Sequence, residues 1–399
     1  MFPKLRFKKF NGDWEKTTIG AKSEIITSGS RDWAQYYSDS GDKFIRMTNL
    51  VRNGINLDLS DLRFVQLPVG SNEGKRTSLE KGDILISITA ELGKLGWIPE
   101  GLGTAYINQH TALVRMKNTL DSKFVAYALS TEKYNNKLNS LNDSGAKAGL
   151  NLGTIRSFEL TIPSKPEQTQ IASFLSVVDE KISQLTQKLE LLSQYKQGMM
   201  QKLFSQQIRF RADDGSEFGE WEEKELKDIA EINPKSKKLP ESFIYIDLES
   251  VEKGQLLLQK NIELQDAPSR AQRLLAKGDV LFQMVRPYQQ NNYYFNLSGE
   301  YVASTGYAQI RTKLDSKFIY YALHEKTFLD EVMNRCTGTS YPAINSSDLS
   351  SIEILIPCLE EQTKIANFLS SIDQKIEVVA QQIEQAKQWK KGLLQQMFI

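Results

Sequence analysis

The side chains best suited to recognition chemistry lie in a few polar loops. Arg286, Tyr288, Gln289, Gln290, Asn291 and Asn292 follow an apolar run at 280–282. Guanidinium and amide groups present donors and acceptors at fixed spacing, as hydrogen bonding to base edges in the DNA major groove requires. The bland alternative is an Asn/Gln turn with Arg286 held by a carboxylate of its own domain. Arg270 and Arg273 are candidate phosphate contacts, whereas Lys235, Lys237 and Lys238 read as a solvated charged face. In the first half, the loop 70–77 carries Asn72, Lys75 and Arg76 between glycines. It is a base- or phosphate-contact candidate or a solvated hairpin tip. It is no phosphate-cradling P-loop, being one residue short between its glycines, with Arg76 where Ser or Thr should follow the lysine. Asn108 and Gln109 form a second candidate, with cross-strand pairing as the alternative. Lys147, Ser340 and Tyr341 sit in loops that lead into the long helices described below, where they contact DNA or merely seat the domain.

Other chemistries are poorly served. Two histidines and two cysteines offer no metal cluster or His-based triad. Asn233-Pro234 is followed by Lys235, which fails the Asn-Pro-Pro-aromatic pattern that holds a flipped adenine, and no glycine-rich cofactor loop follows a strand. No catalytic residue and no metal ligand is therefore assigned. No run approaches the ~20 apolar residues of a membrane span, and the basic, aromatic N-terminus lacks the apolar core of a signal peptide, so a cytoplasmic location is expected. The net charge of +1 hides an asymmetry: residues 1–160 hold 22 Lys and Arg against 17 Asp and Glu, whereas 207–355 hold 18 against 23. A DNA-binding chain of this kind needs part of its phosphate contacts from elsewhere.

The elements that position these loops are written twice. Residues 162–204 recur at 356–398, offset by 194 positions and nearly half identical, with Ile162-Pro163 and Glu167-Gln168-Thr169 returning as Ile356-Pro357 and Glu361-Gln362-Thr363. Upstream, Lys81-Gly82-Asp83-Ile84-Leu85 matches Lys277-Gly278-Asp279-Val280-Leu281, and Leu120-Asp121-Ser122-Lys123-Phe124 recurs unchanged from Leu314. Each copy begins with a β-rich region and ends in a helix whose apolar residues follow a heptad seam. In the first copy the seam is Ile171, Leu175, Val178, Ile182, Leu185, Leu189 and Leu192; in the second it is Ile365, Leu369, Ile372, Ile376, Val379 and Ile383. Lys196 and Lys390 occupy equivalent seam positions, either snorkelling or fixing register. Connectivity makes the helices antiparallel if they pair. The fold class expected is α+β: two pseudo-symmetric β-rich domains, 1–160 and 207–355, separated by two long antiparallel coiled-coil helices, 161–206 and 356–399.

This duplicated order, with Arg286-Pro287-Tyr288 and Gly338-Thr339 ahead of Asn345, resembles the specificity subunit of type I restriction-modification systems. The resemblance implies two target-recognition domains, each reading one half of a split double-stranded DNA sequence, and two spacer helices that also dock two methyltransferase subunits. Restriction-translocase subunits join them. It implies no reaction in this chain and no cofactor of its own, S-adenosylmethionine being bound by the methyltransferase. The rival is a coiled-coil adaptor that binds proteins rather than DNA.

Overall fold

The computed structural model describes residues 3–141, 149–236 and 238–398. The chain divides into two units, Met1–Thr186 with Gln381–Ile399, and Gln187–Ala380. Each unit thus holds one β-rich region, half of the first long helix (Lys165–Phe204) and half of the second (Leu359–Met397). The first half of one helix shares its unit with the last part of the other, so the two run in opposite directions, as their connectivity requires.

In the first unit a four-stranded antiparallel sheet has the order Ser23–Ser28, Thr111–Met116, Ile84–Ser87, Leu95–Trp97. In the second unit the counterpart is Ala230–Ile232, Tyr307–Thr312, Val280–Gln283, Tyr293–Tyr294. Ile84–Ser87 and Val280–Gln283 are buried throughout, which explains their unbroken apolar start. A second sheet in each unit contains one parallel pair, Asp42–Ile45 with Ala105–Ile107 and Ser242–Ile246 with Tyr301–Ser304. The chain enters and leaves each β-rich region as a two-stranded ribbon, Glu15–Thr18 with Glu159–Ile162 and Glu222–Glu225 with Glu353–Ile356. Thr161 and Ile162 therefore end a strand, and the first long helix begins three residues later than Ile162.

The recurring short motifs are structural fasteners. Gly82 and Gly278 take positive φ, 89° and 93°, a conformation that costs glycine nothing. The buried aspartate that follows caps the turn, accepting from Glu80 N at 2.7 Å and Ala276 N at 2.7 Å. The same carboxylates hold Arg115 and Arg311 of the adjacent strand. Asp121 and Asp315 cap the short helices Ser122–Ser130 and Ser316–Ala322, each accepting from two backbone N–H groups.

Glu-Gln-Thr attaches each helix to its β-rich region residue by residue. Glu167 accepts from Arg6 at 2.7 and 2.8 Å, and Glu361 from Arg209 at 3.1 and 2.8 Å. Gln168 donates to Pro163 O and accepts from Asp121 N, as Gln362 does with Pro357 O and Asp315 N. Thr169 and Thr363 donate to the capping aspartates. Leu5 N donates to Gln396 O at 2.9 Å, and Ile208 N donates to Lys202 O at 3.2 Å. The N-terminal segment is thus held on the end of one helix as the linker is held on the end of the other.

The seam residues are buried or half-buried in their respective units. Both seam lysines are ion-paired. Lys390 meets Asp179 at 2.5 Å and Lys196 meets Asp373 at 2.6 Å. Asp179 also accepts from Tyr127 OH, and Asp373 from Tyr321 OH. Burial, reinforced by the aspartate, pushes both phenols far above their ordinary range.

The two pairs differ in exposure: the Asp179 and Lys390 side chains are 10% and 12% exposed, those of Asp373 and Lys196 37% and 23%. Asp179→Ala should therefore cost about 3 kcal/mol, leaving a buried lysine unpaired, and Asp373→Ala about 1 kcal/mol. Equal losses in urea unfolding would contradict this ranking. Leu185→Asp, at a buried seam position, should also cost about 3 kcal/mol; an unchanged midpoint would show that the seam is not packed.

Candidate nucleic-acid interface

In the first unit, the 70–77 segment is no loose hairpin tip. Lys75–Thr77 form a 3-10 turn after Gly74, whose φ is 75°, and a Cβ there would fall 2.5 Å from Tyr106 and 2.9 Å from Trp33. The turn is seated on those rings, with Asn72, Lys75 and Arg76 exposed. Asn72 accepts from Lys75 Nζ at 2.7 Å. Arg76 donates to Thr27 Oγ1 and to Ser28 O, which pins it along an outer strand. Asn108 and Gln109 are half-buried in the turn between Ala105–Ile107 and Thr111–Met116, not within a strand. Asn108 Oδ1 accepts from His110 N, Gln109 Nε2 lies 2.9 Å from His110 Nε2, and His110 Nδ1 lies 2.8 Å from Thr89 Oγ1. Lys147 lies outside the described residues.

In the second unit, the amide-rich loop is reorganised by its own backbone. Asn292 is buried and accepts from Gln283 N at 2.8 Å. Gln283 donates to Gln289 Oε1 and accepts from Asn291 N. Asn291 Oδ1 accepts from Lys253 N at 3.0 Å, and Gln290 Nε2 reaches His324 O at 3.4 Å. The amides expected to present a base-reading edge are thus partly engaged within the protein, Asn291 through Oδ1 and Gln290 through Nε2. Arg286 escapes the other bland reading, because no described carboxylate pairs with it. Its guanidinium stacks on Tyr341, 4.3 Å from the ring centroid. Tyr288, Ser340 and Tyr341 are exposed beside it.

Ion pairing sorts the arginines. In the second unit Arg209, Arg211, Arg311 and Arg335 are paired with carboxylates. Arg270, Arg273 and Arg286 have no such partner among the described residues. Arg270 is exposed; Arg273 is half-buried, its Nε buried without an acceptor, and burial pulls its pKa below the ordinary value. In the first unit Arg6, Arg46 and Arg115 are paired, whereas Arg31, Arg52, Arg63, Arg76 and Arg156 have no described carboxylate partner. Arg31, Arg52 and Arg63 are exposed cations that the sequence reading passed over. Arg52 also lines a cleft of about 880 Å³ in the first unit, with Asn53, Asn56, Asn136, Lys387 and Lys391. Its walls come from four separate stretches, which no local motif announces.

With this geometry in hand, comparison with known proteins is decisive. The family model described as "Type I restriction modification DNA specificity domain" matches twice, at residues 11–194 and 219–388. The chain belongs to this family. Its members are the non-catalytic specificity subunits. The chain is 26% identical over 414 residues to the putative type I restriction enzyme MjaX specificity subunit of Methanocaldococcus jannaschii, covering 98% of this chain and 94% of that one. It is 28% identical over 257 residues to the MjaVIII specificity subunit of the same organism, covering 60% of each. The S subunit of a type I restriction-modification system from M. genitalium has the same fold, with TM-score 0.64, 17% identity and coverage of 100% and 99%. A chain from a type I R-M complex assembly superposes at TM-score 0.52, with 15% identity and coverage of 97% and 98%. Among the described residues no acid, His and Cys cluster has metal-binding geometry, and no helix is long and apolar enough to cross a membrane.

His324, half-buried behind the amide loop, is desolvated by its surroundings, which pushes its pKa down from 6.5 to about 4; its Nδ1 lies 2.7 Å from Tyr320 O. The unfolded chain then binds this proton more readily than the folded one. The second unit should lose stability as pH falls from 6.5 towards 4. A His324→Asn variant should flatten that part of a pH–stability profile; an unchanged slope would place the titration elsewhere.

Proposed function

We propose that this chain is the DNA-recognition component of a type I restriction-modification complex. The regions 1–160 and 207–355 are its target-recognition domains, each reading one half of a split double-stranded target. The helical segments 161–206 and 356–399 set the spacing. The observation that carries this reading is one scaffold used twice under different surfaces. The buried aspartate–arginine pairs, the helix caps and the Glu-Gln-Thr attachments coincide, while the loops they support differ. Two readers of one geometry and unlike chemistry suit a target with two unlike halves.

Helix length supports the spacer role. The first long helix has 40 residues, roughly 60 Å of rise, which exceeds the roughly 34 Å of one DNA turn that separates half-sites read from one face. Exposed apolar residues support docking of two methyltransferase subunits. Val177 and Trp389 stand on the helices in the first unit, and Leu191, Tyr195 and Val378 in the second. Tyr195 and Trp389 are equivalent in the repeat, so each unit offers an exposed aromatic on the same helical face. Exposed aromatics of this kind commonly mark association surfaces. The methyltransferase subunits bind S-adenosylmethionine and supply phosphate contacts that the acidic second half lacks; restriction-translocase subunits complete the complex in the cytoplasm, where the DNA lies. Arginines such as Arg31, Arg63 and Arg270, exposed and with no ion pair to a described carboxylate, favour DNA over the adaptor reading, which gives them no anion.

Replacing 207–355 with the corresponding region of another family member should change one half of the methylated motif and leave the other intact. A change in both halves would contradict the assignment. The pair Tyr195→Ala and Trp389→Ala should reduce co-purification of the methyltransferase at least tenfold, without a shift in the unfolding midpoint; undiminished recovery would move the docking surface elsewhere.

A further inference from the structure

Resting on the reading above, we propose that Arg286 reads a guanine in the half-site recognised by the second unit, with the Tyr341 ring fixing the plane of its guanidinium. The backbone at this point is a repeated corner. Arg286 has φ 54° and its repeat equivalent, Ala90, has φ 57°, a conformation uncommon for residues other than glycine, asparagine and aspartate and found at functional sites. Each corner is bridged to the loop that enters the following helix, Thr89 to Gly149 and Val285 to Ala343. In the second unit Arg286 N donates to Pro342 O at 2.7 Å, and Ile344 N to Met284 O at 3.1 Å. The scaffold therefore holds one strained position in the same way twice and places alanine there once and arginine once. The two units thus present unlike side chains from one repeated corner.

The chemistry at the corner selects the base. Several neighbouring amide atoms bond within the protein, and the guanidinium is the one cationic donor fork on this loop. Among the described residues it meets no carboxylate, and its face is covered by a ring 62% exposed to solvent. Stacking on a ring face leaves the N–H donors at the guanidinium's edge available to a ligand. A donor-only fork matches the paired acceptors O6 and N7 of guanine. It clashes with the amino hydrogens that adenine and cytosine present in the major groove, and thymine offers it a single acceptor beside a methyl group. Tyr288, 51% exposed on the same loop, adds a flat apolar surface beside the fork.

The test is a methylation map of cells expressing the chain with its methyltransferase subunit, for the wild type, Arg286→Lys and Arg286→Gln. The wild type should show an invariant guanine in one half-site. Both variants should methylate sites carrying other bases at that position, with the preference for guanine falling roughly ten- to a hundredfold and the other half-site unchanged. Lysine keeps the charge but loses the rigid fork, so an undiminished guanine preference in both variants would assign the residue to a phosphate and overturn the proposal. A relevant half-site without guanine in the wild-type map would overturn it as well. A wild-type map with no split motif would instead overturn the recognition role of the whole chain.

Discussion

Everything in this molecule depends on a buried carboxylate at the start of each long helix. Glu167 and Glu361 are almost wholly enclosed, and a carboxylate in that state is tolerable only with a cation and hydrogen bonds in place. Arg6 and Arg209 supply both, and each also donates at 2.6 Å to the carbonyl of Gly12 or Gly219. One guanidinium thereby fastens the incoming chain to the outgoing helix. Removing it would strand a buried charge at a cost on the order of 3–5 kcal/mol, a large fraction of what holds a domain folded. The two sites are not identical: Trp221 Nε1 donates to Glu361 at 3.1 Å, whereas Trp14 Nε1 is buried with no partner among the described residues.

With both ends of each β-rich region fastened to a helix, the loops between are free to differ. Neither the Gly-Asp turns, the capping aspartates nor the seam ion pairs involve the candidate reading loops. A change at the Ala90 or Arg286 corner leaves these contacts in place, and so alters surface chemistry while preserving the frame. This separation of frame from surface is what a recognition protein needs if its target is to change while its partners stay the same.

Much of the frame was legible in the sequence because it is made of local, directional rules repeated at a constant offset. The heptad seam, the Asp caps and the Gly-Asp turns each announce themselves within a few residues. The equivalence of Lys196 and Lys390 was legible, with snorkelling and a register role both open, but their partners, Asp179 and Asp373, lie far away in sequence. The surface was harder to read. That Gln290 and Asn291 are each partly engaged within the protein was hidden, because composition says nothing of where a turn sends its amides. Arg286 stood out in the sequence, but its stack on Tyr341 and its positive φ arise from contacts across more than fifty residues. Arg31, Arg52 and Arg63 went unnoticed because an unpaired cation is defined by what is missing around it, which only a folded chain reveals.

The most direct measurement of the central claim is a map of methylated adenines in cells carrying this chain and its methyltransferase, set against cells lacking only this chain. The account predicts a split motif, methylated in both halves and lost when the chain is absent. A motif that persists without the chain, or one that is continuous rather than split, would contradict it.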